Sequence, residues 1–144
     1  MNKAIICDLD GTLCLYDRSS GKHYDRDYEN DTPNTAVLDI LQRVDVNNFN
    51  GEGEFTRIIF VSGRKEDYRG VTRKWLDDLG FNIYPLFMRP LNDNRKDVIV
   101  KQEIYEREIK GQYKVLWVLD DRNQVVELWR SLGLACLQVA EGNF

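Results

Sequence analysis

Lys3-Ala4-Ile5-Ile6-Cys7-Asp8-Leu9-Asp10-Gly11-Thr12 decides how this chain is read. Its first half is a short apolar run of the kind that forms a buried strand, and Asp10-Gly11 stops it with a turn. Further along the chain the same pattern recurs. Arg57-Ile58-Ile59-Phe60-Val61 predicts a second buried strand, ending at Ser62-Gly63-Arg64, and Val115 to Leu119 predicts another, ending at Asp120-Asp121. Ile83 to Met88 is a weaker candidate that suits only an edge position, because Pro85 cannot donate to a ladder. Leu134 to Val139 is the last strand.

Helical patterns fill the gaps. Thr32-Pro33 signals a helix start with proline at the first helical position, followed by Ala36, Val37, Ile40, Leu41 and Val44 at helical spacing. The Asn-, Gly- and Glu-rich stretch Asn47 to Glu54 reads as a loop. A second helix carries Tyr68, Val71, Trp75, Leu76 and Leu79 and closes at Gly80. Asn92-Asp93-Asn94 caps a third, spanning Arg95 to Ile109, and a fourth with Val125, Val126, Leu128 and Trp129 stops at Gly133. Strands alternating with helices imply an α/β fold on a mainly parallel five-stranded sheet. Leu13 to Asp31 has no clean period and reads as a flap. No linker or repeat interrupts residues 1–144, which read as one domain.

Composition narrows the function. A chain of 144 residues has enough apolar mass for one core, and no apolar run approaches the ~20 residues of a membrane span. The N-terminus lacks a signal-peptide pattern, so the expected location is the cytoplasm, the host's if the chain is phage-encoded. Cys7, Cys14 and Cys136 form no Cys-x-x-Cys pair and read as reduced, buried thiols. His23 is the sole histidine and is expected to face solvent. A net charge of −4 argues against binding nucleic acid through a bulk positive field, but leaves room for a local basic cleft.

In a parallel sheet, ligands bind beyond the carboxyl ends of the strands. Three polar clusters fall there: Asp8/Asp10, Ser62/Arg64 and Asp120/Asp121. Four converging carboxylates repel one another unless a cation sits among them, and all-oxygen ligands suit a hard ion such as Mg2+. Lys101 lies on the inward stripe of its helix, where an ammonium is costly unless paired, and Asp97 four residues earlier can hold it. It reads either as a phosphate-neutralising group or as a lysine snorkelling at the helix edge.

Asp8-Leu9-Asp10-Gly11-Thr12, then Ser62, Lys101 and Asp120-Asp121, each in its structural place, resemble the four signature motifs of the haloacid dehalogenase (HAD) superfamily. A closer resemblance spans nearly the whole chain. Val61-Ser62-Gly63-Arg64, Thr72-Arg73-Lys74-Trp75, Arg95-Lys96-Asp97 with Val100-Lys101, Asp120-Asp121-Arg122 through Trp129, and the ending Gln138 to Phe144 are similar to the 3′-phosphatase domain of phage polynucleotide kinase-phosphatases. The resemblance implies a Rossmann-like, three-layer α/β/α sandwich with a minimal cap. It implies that Asp8 attacks phosphorus to form an aspartyl-phosphate, and that Asp10, with a raised pKa, protonates the leaving oxygen and later activates water. It further implies Mg2+ held by Asp8, the Asp10 carbonyl, Asp120 and Asp121. Ser62, Lys101, Arg64 and a flap arginine, Arg18, would bind phosphate oxygens. No phosphate-binding loop of a kinase is present: Gly21-Lys22 has Tyr16 where the first glycine belongs and His23 after the lysine.

A flap of this size leaves the site open, which suits a macromolecular end, the 3′-phosphate of DNA or RNA, better than a sugar phosphate. The alternative is a related phosphatase acting on free nucleotides or phosphoproteins. Arg69 and Arg73, at i and i+4 with Lys65 and Lys74 nearby, read either as a track for a nucleic-acid backbone or as a solvated helix face. A phospho-aspartate receiver is disfavoured, because receivers place the acid pair early and the phosphorylated aspartate mid-chain. The oligomeric state is not legible from the sequence.

Overall fold

The structure, a computed structural model, describes residues 1–17, 19, 26–51 and 53–144. Five parallel strands form one sheet in the order β5-β4-β1-β6-β7: β1 (Asn2–Cys7), β4 (Thr56–Lys65), β5 (Leu86–Arg89), β6 (Tyr113–Asp120) and β7 (Cys136–Gln138). A two-stranded antiparallel stem, β2 (Cys14–Leu15) with β3 (Thr32–Pro33), carries the flap.

Side chains alternate across the sheet and build two cores. Ile5, Cys7, Ile58 and Phe60 face Val37 and Leu41 of α1 (Thr35–Asn50) and Leu76 of α2 (Arg69–Asp78). Ala4, Ile6, Ile59 and Val61 face Val100 and Ile104 of α3 (Asp97–Ile104) and Val125, Val126 and Trp129 of α4 (Asn123–Ser131). This is the three-layer α/β/α arrangement that the sequence implies. Strand β1 is central because it is apolar on both faces, as a strand covered by helices on both sides must be.

Several boundaries move, each for a tertiary reason. Thr32-Pro33 is a strand and not a helix start: Cys14 pairs with Pro33, and α1 begins at Thr35 after Asn34. Helix α1 runs on to Asn50, through part of the stretch read as a loop. Its Asn48 donates to the Thr56 carbonyl (2.7 Å) and Tyr84 Oη (2.9 Å) and accepts from Thr56 N–H (2.7 Å), so a poor helix former is held in place by its contacts. Helix α3 starts at Asp97, two residues late, because Arg95 N–H bonds to Asp93 Oδ1 (3.0 Å) in a turn. It ends in a π-helical turn, Tyr105–Ile109. Pro85 lies just before the edge strand β5, as its missing N–H requires.

The extension of β4 matters most. It runs four residues past Val61, and its register with β5 shifts between Ser62 and Lys65. Such bulges re-aim a side chain, and this one turns Arg64 over the carboxyl edge of the sheet. Among the described residues, no helix is long and apolar enough to cross a membrane.

Candidate active site

The turn after β1 is closed by backbone bonds from Thr12 N–H and Cys14 N–H to the Leu9 carbonyl (3.0 and 2.8 Å), with Gly11 at φ 82°. A positive φ is cheap only for glycine, and here it lets the chain reverse immediately after two aspartates. Asp8 and Asp10 are thereby sent to different partners.

Asp8 joins Asp120 and Asp121 from the end of β6, the strand paired to β1 on the other side. One carboxylate oxygen from each of the three lies within 4.8 Å of the others, and all three residues are buried. Lys101 Nζ reaches across from α3 to Asp8 Oδ1 (2.7 Å), Asp120 Oδ2 (3.2 Å) and Asp97 Oδ2 (3.6 Å). Burial alone would drive its proton off, yet Asp120, Asp8 and Asp97 outweigh burial and hold the ammonium well above its ordinary pKa. Asp97 can lie there because Gly63 has no Cβ; one added at Gly63 would stand 2.3 Å from Asp97 Oδ1. Asp120 is fixed from the far side by Trp129 Nε1 (3.1 Å) and the Asp121 N–H (2.8 Å).

One ammonium does not neutralise this group. Burial first, and then the charge of Asp120, push the carboxyls of Asp8 and Asp121 upward. Thr12 Oγ1 lies 2.9 Å from Asp8 Oδ2 and 3.1 Å from Asp121 Oδ1. A hydroxyl has one proton, so only one of those contacts can be donated by Thr12. The other calls for a protonated carboxyl or for a cation between the two oxygens. A hard divalent ion fits this donor set of three carboxylates without His or Cys.

Asp10 has turned away. Arg64 donates to it through Nε (3.0 Å to Oδ2) and Nη2 (2.7 Å to Oδ1), and Arg26, from the flap, also donates to Oδ1. Both arginines also bind Asp31, Arg64 at 2.8 Å and Arg26 at 2.9 Å. Arg64 is further anchored by Thr72 Oγ1 (3.0 Å) and lies 3.9 Å over the Tyr28 ring, while Arg26 sits 3.7 Å over Tyr16. Burial pushes the Asp10 carboxyl up, but Arg64 and then Arg26 prevail, and its pKa is lowered. The sequence reading expected the reverse.

Asp8, Asp97, Lys101, Asp120 and Asp121 are thus brought together, with Arg64 and Asp10 beside them. Ser62 is at the strand end but fully buried, its Oγ accepting the Arg64 N–H (3.1 Å), and it is not among the residues lining the cleft. Arg18 and His23 lie outside the described residues. The sequence reading missed Arg26 and Asp31. They sit in an aperiodic flap, and only the fold shows that the flap stem returns them to Asp10. Thr12 lay in the quoted motif and could have been found there. The cysteines are free and buried, as expected.

Comparison with known proteins agrees with this geometry. A protein of Autographa californica nuclear polyhedrosis virus, provisionally named a bifunctional polynucleotide kinase/RNA ligase, is 36% identical over 132 residues, which is 90% of this chain and 18% of that protein. In two solved structures titled as the Pnkp1/Rnl/Hen1 complex and the Pnkp1/Rnl/Hen1 RNA repair complex, a chain 40% identical superposes with a TM-score of 0.88. The match takes in 100% and 99% of the present chain but 48% and 44% of those chains. The present sequence therefore spans under half the length of the proteins it resembles. The family described as the polynucleotide kinase PNKP phosphatase domain matches residues 2–144, and the chain belongs to that family of phosphatases.

Proposed function

We propose that this domain removes the phosphate from the 3′ end of a polynucleotide, using Asp8 as nucleophile and Mg2+ as cofactor. The observation that carries the reading is the placement of Asp8: it ends the central strand, 2.7 Å from the Lys101 ammonium and within one carboxylate triad with Asp120 and Asp121. Asp8, Asp120 and Asp121 would hold the ion, with the Asp10 carbonyl as a further candidate ligand. When bound, the ion supplies positive charge against the transferring phosphoryl group.

Asp8 Oδ attacks phosphorus, and the bond from phosphorus to the 3′ oxygen breaks as Asp10 delivers a proton to that oxygen. In the second step Asp10 takes a proton from water, the water oxygen attacks phosphorus, and the bond to Asp8 breaks. Lys101 and Arg64 bind the non-bridging oxygens, Lys101 as a point charge and Arg64 as a planar fork. Ser62 orders the Arg64 backbone by accepting its N–H, which leaves the hydroxyl proton free to be donated to a phosphate oxygen.

Asp10 cannot donate a proton while two guanidinium groups keep it ionised. Arg26 is the arginine to yield: its side chain is 11% exposed and rides on the flap, whereas Arg64 is 2% exposed and anchored on Thr72. An incoming phosphate would draw Arg26 off Asp10, so Arg26 takes the flap role expected of Arg18.

The test is a panel of 3′-phosphorylated and 5′-phosphorylated DNA and RNA oligonucleotides, nucleoside 3′-monophosphates and a phosphopeptide, each with Mg2+ or excess chelator. Turnover of the 3′-phosphorylated oligonucleotides in Mg2+ alone is expected. Equal turnover of 5′ ends would refute the 3′ assignment, and full activity in chelator would refute the ion.

A further inference from the structure

The arginines and lysine on α2 do not form a nucleic-acid track. Arg69 donates to Glu66 (2.7 Å) and the Leu86 carbonyl (2.9 Å). Arg73 donates to Asp77 (2.9 Å) and to the Tyr84 and Phe81 carbonyls (both 2.8 Å). Lys74 pairs with Asp78 (2.7 Å). These three staple the helix to itself and to the approach of β5.

The cleft over Asp8, of about 800 Å³, is different. Of the cations lining it, Lys101 and Arg64 belong to the reacting centre. Arg89 is bound to the Gly63, Asp93 and Arg95 carbonyls and to Asp97, and Arg95 is bound to Asp93 and Glu103. Lys65, Lys96 and Arg122 remain. Neither Lys65 nor Lys96 has an acidic side-chain partner among the described residues, although acidic side chains are abundant in this chain. Lys65 ends β4, Lys96 precedes α3 and Arg122 follows the acidic pair, so they come from three separate elements around one mouth. Arg122 is held in place by Phe144, through an Nε bond to its O (2.7 Å) and with the guanidinium carbon 5.3 Å from its ring centre, which fixes the guanidinium at the cleft.

We propose that Lys65, Lys96 and Arg122 bind the internal backbone phosphates of a polynucleotide whose terminal phosphate sits at Asp8, so that the strand leaves over the α3 and α4 side of the cleft and not along α2. This rests on the polynucleotide reading above and adds the strand's path. Two lysines without an acidic partner, with the anchored Arg122 beside them, form a local attraction without a bulk field on a chain with a net charge of −4. A mononucleotide has no internal phosphate and cannot use them.

The experiment measures kcat/KM against salt, between about 50 and 200 mM, for a single-stranded 3′-phosphorylated oligonucleotide and for a nucleoside 3′-monophosphate. Three contacts predict a slope of about −2 in log–log form on the oligonucleotide, from roughly −0.7 per phosphate neutralised on single strands. Lys96→Gln and Lys65→Gln should each flatten that slope by about 0.7, with a larger rate loss on the oligonucleotide than on the monophosphate. Lys96→Arg and Arg122→Lys should preserve it, because charge and not shape is read. Lys74→Ala is the α2 control and should leave the slope as it is. A wild type that hydrolyses the 3′-phosphorylated oligonucleotide, with an unchanged slope in Lys65→Gln and Lys96→Gln, overturns the rim and leaves the function standing. A flattened slope in Lys74→Ala moves the track back to α2. A wild type inactive on every 3′ end overturns both readings.

Discussion

Two buried ionic clusters share this cleft and are built on opposite charge balances. Around Lys101, four carboxylates (Asp8, Asp97, Asp120 and Asp121) meet one ammonium. Around Arg64, two carboxylates (Asp10 and Asp31) meet two guanidinium groups. The consequence is visible in Asp8 and Asp10, two positions apart in one turn: burial and Asp120 push the first carboxyl up, while Arg64 and Arg26 overcome burial and pull the second down. The first cluster carries more carboxylates than its single ammonium can neutralise. The second is balanced, and the proton transfer proposed for Asp10 requires that it open. Sequence proximity says nothing about which is which; the partners brought in from β6, α3 and the flap decide it.

The sharpest way to break the comparison is Asp8→Asn. It keeps the side-chain size but removes a nucleophile and one charge of the unbalanced cluster, and turnover should fall at least ~10³-fold. Single-turnover assays on the 3′-phosphorylated oligonucleotide would measure it, and substantial residual activity would end the aspartyl-phosphate mechanism.

Lys101→Met tests the balance directly. Removing the ammonium leaves buried carboxylates facing one another, which in metal-free protein should cost on the order of 3 kcal/mol. Urea unfolding in chelator would show it, and Mg2+ should restore part of the loss. A variant as stable as wild type without metal would mean that the cluster is not under the strain its charges imply.

Mg2+ itself should raise the melting temperature. At a hundredfold excess over its dissociation constant the linkage is about 2.7 kcal/mol, or roughly 5–10 °C for a domain of this size. Asp121→Ala should abolish the shift, whereas Asp31→Asn, in the balanced cluster, should retain it. A thermal shift that survives Asp121→Ala would place the ion elsewhere.

Arg64→Ala carries the smallest expected effect, about 1.5–3 kcal/mol in kcat/KM, or roughly 10- to 150-fold. Arg64→Lys should recover it only in part, because an ammonium cannot bridge Asp10, Asp31 and Thr72 as the planar fork does. Complete rescue by lysine would show that only the charge matters there.

Much of this was legible beforehand because it depends on short-range chemistry. The strand β1 and its turn, the alternation of strands with helices, the Lys101–Asp97 spacing and the Asp120-Asp121 strand end are local patterns, and the structure keeps them all. What was misread depends on remote partners. Thr32-Pro33 has the local marks of a helix start, but pairing with Cys14 and Leu15 makes it a strand. Asn48 belongs to a loop by propensity and to a helix by its bonds to Thr56 and Tyr84. Arg69 and Arg73 look available on a helical wheel, yet the backbone carbonyls of Leu86, which opens β5, and of Tyr84 just before it hold them.

The sequence by itself determined the sheet, the family of the chain and the identity of the acidic residues at the strand ends, since residue type and period 2 or 3.6 are properties of the chain alone. Only the tertiary structure decided which charges are compensated. Whether a carboxylate finds an ammonium, a guanidinium or another carboxylate within 4 Å is set by elements far apart in sequence: 93 positions separate Asp8 from Lys101 and 54 separate Asp10 from Arg64. Because Coulomb energies at such contacts change sign with the partner, no reading of the Asp-x-Asp turn in isolation could have assigned Asp8 a raised and Asp10 a lowered pKa.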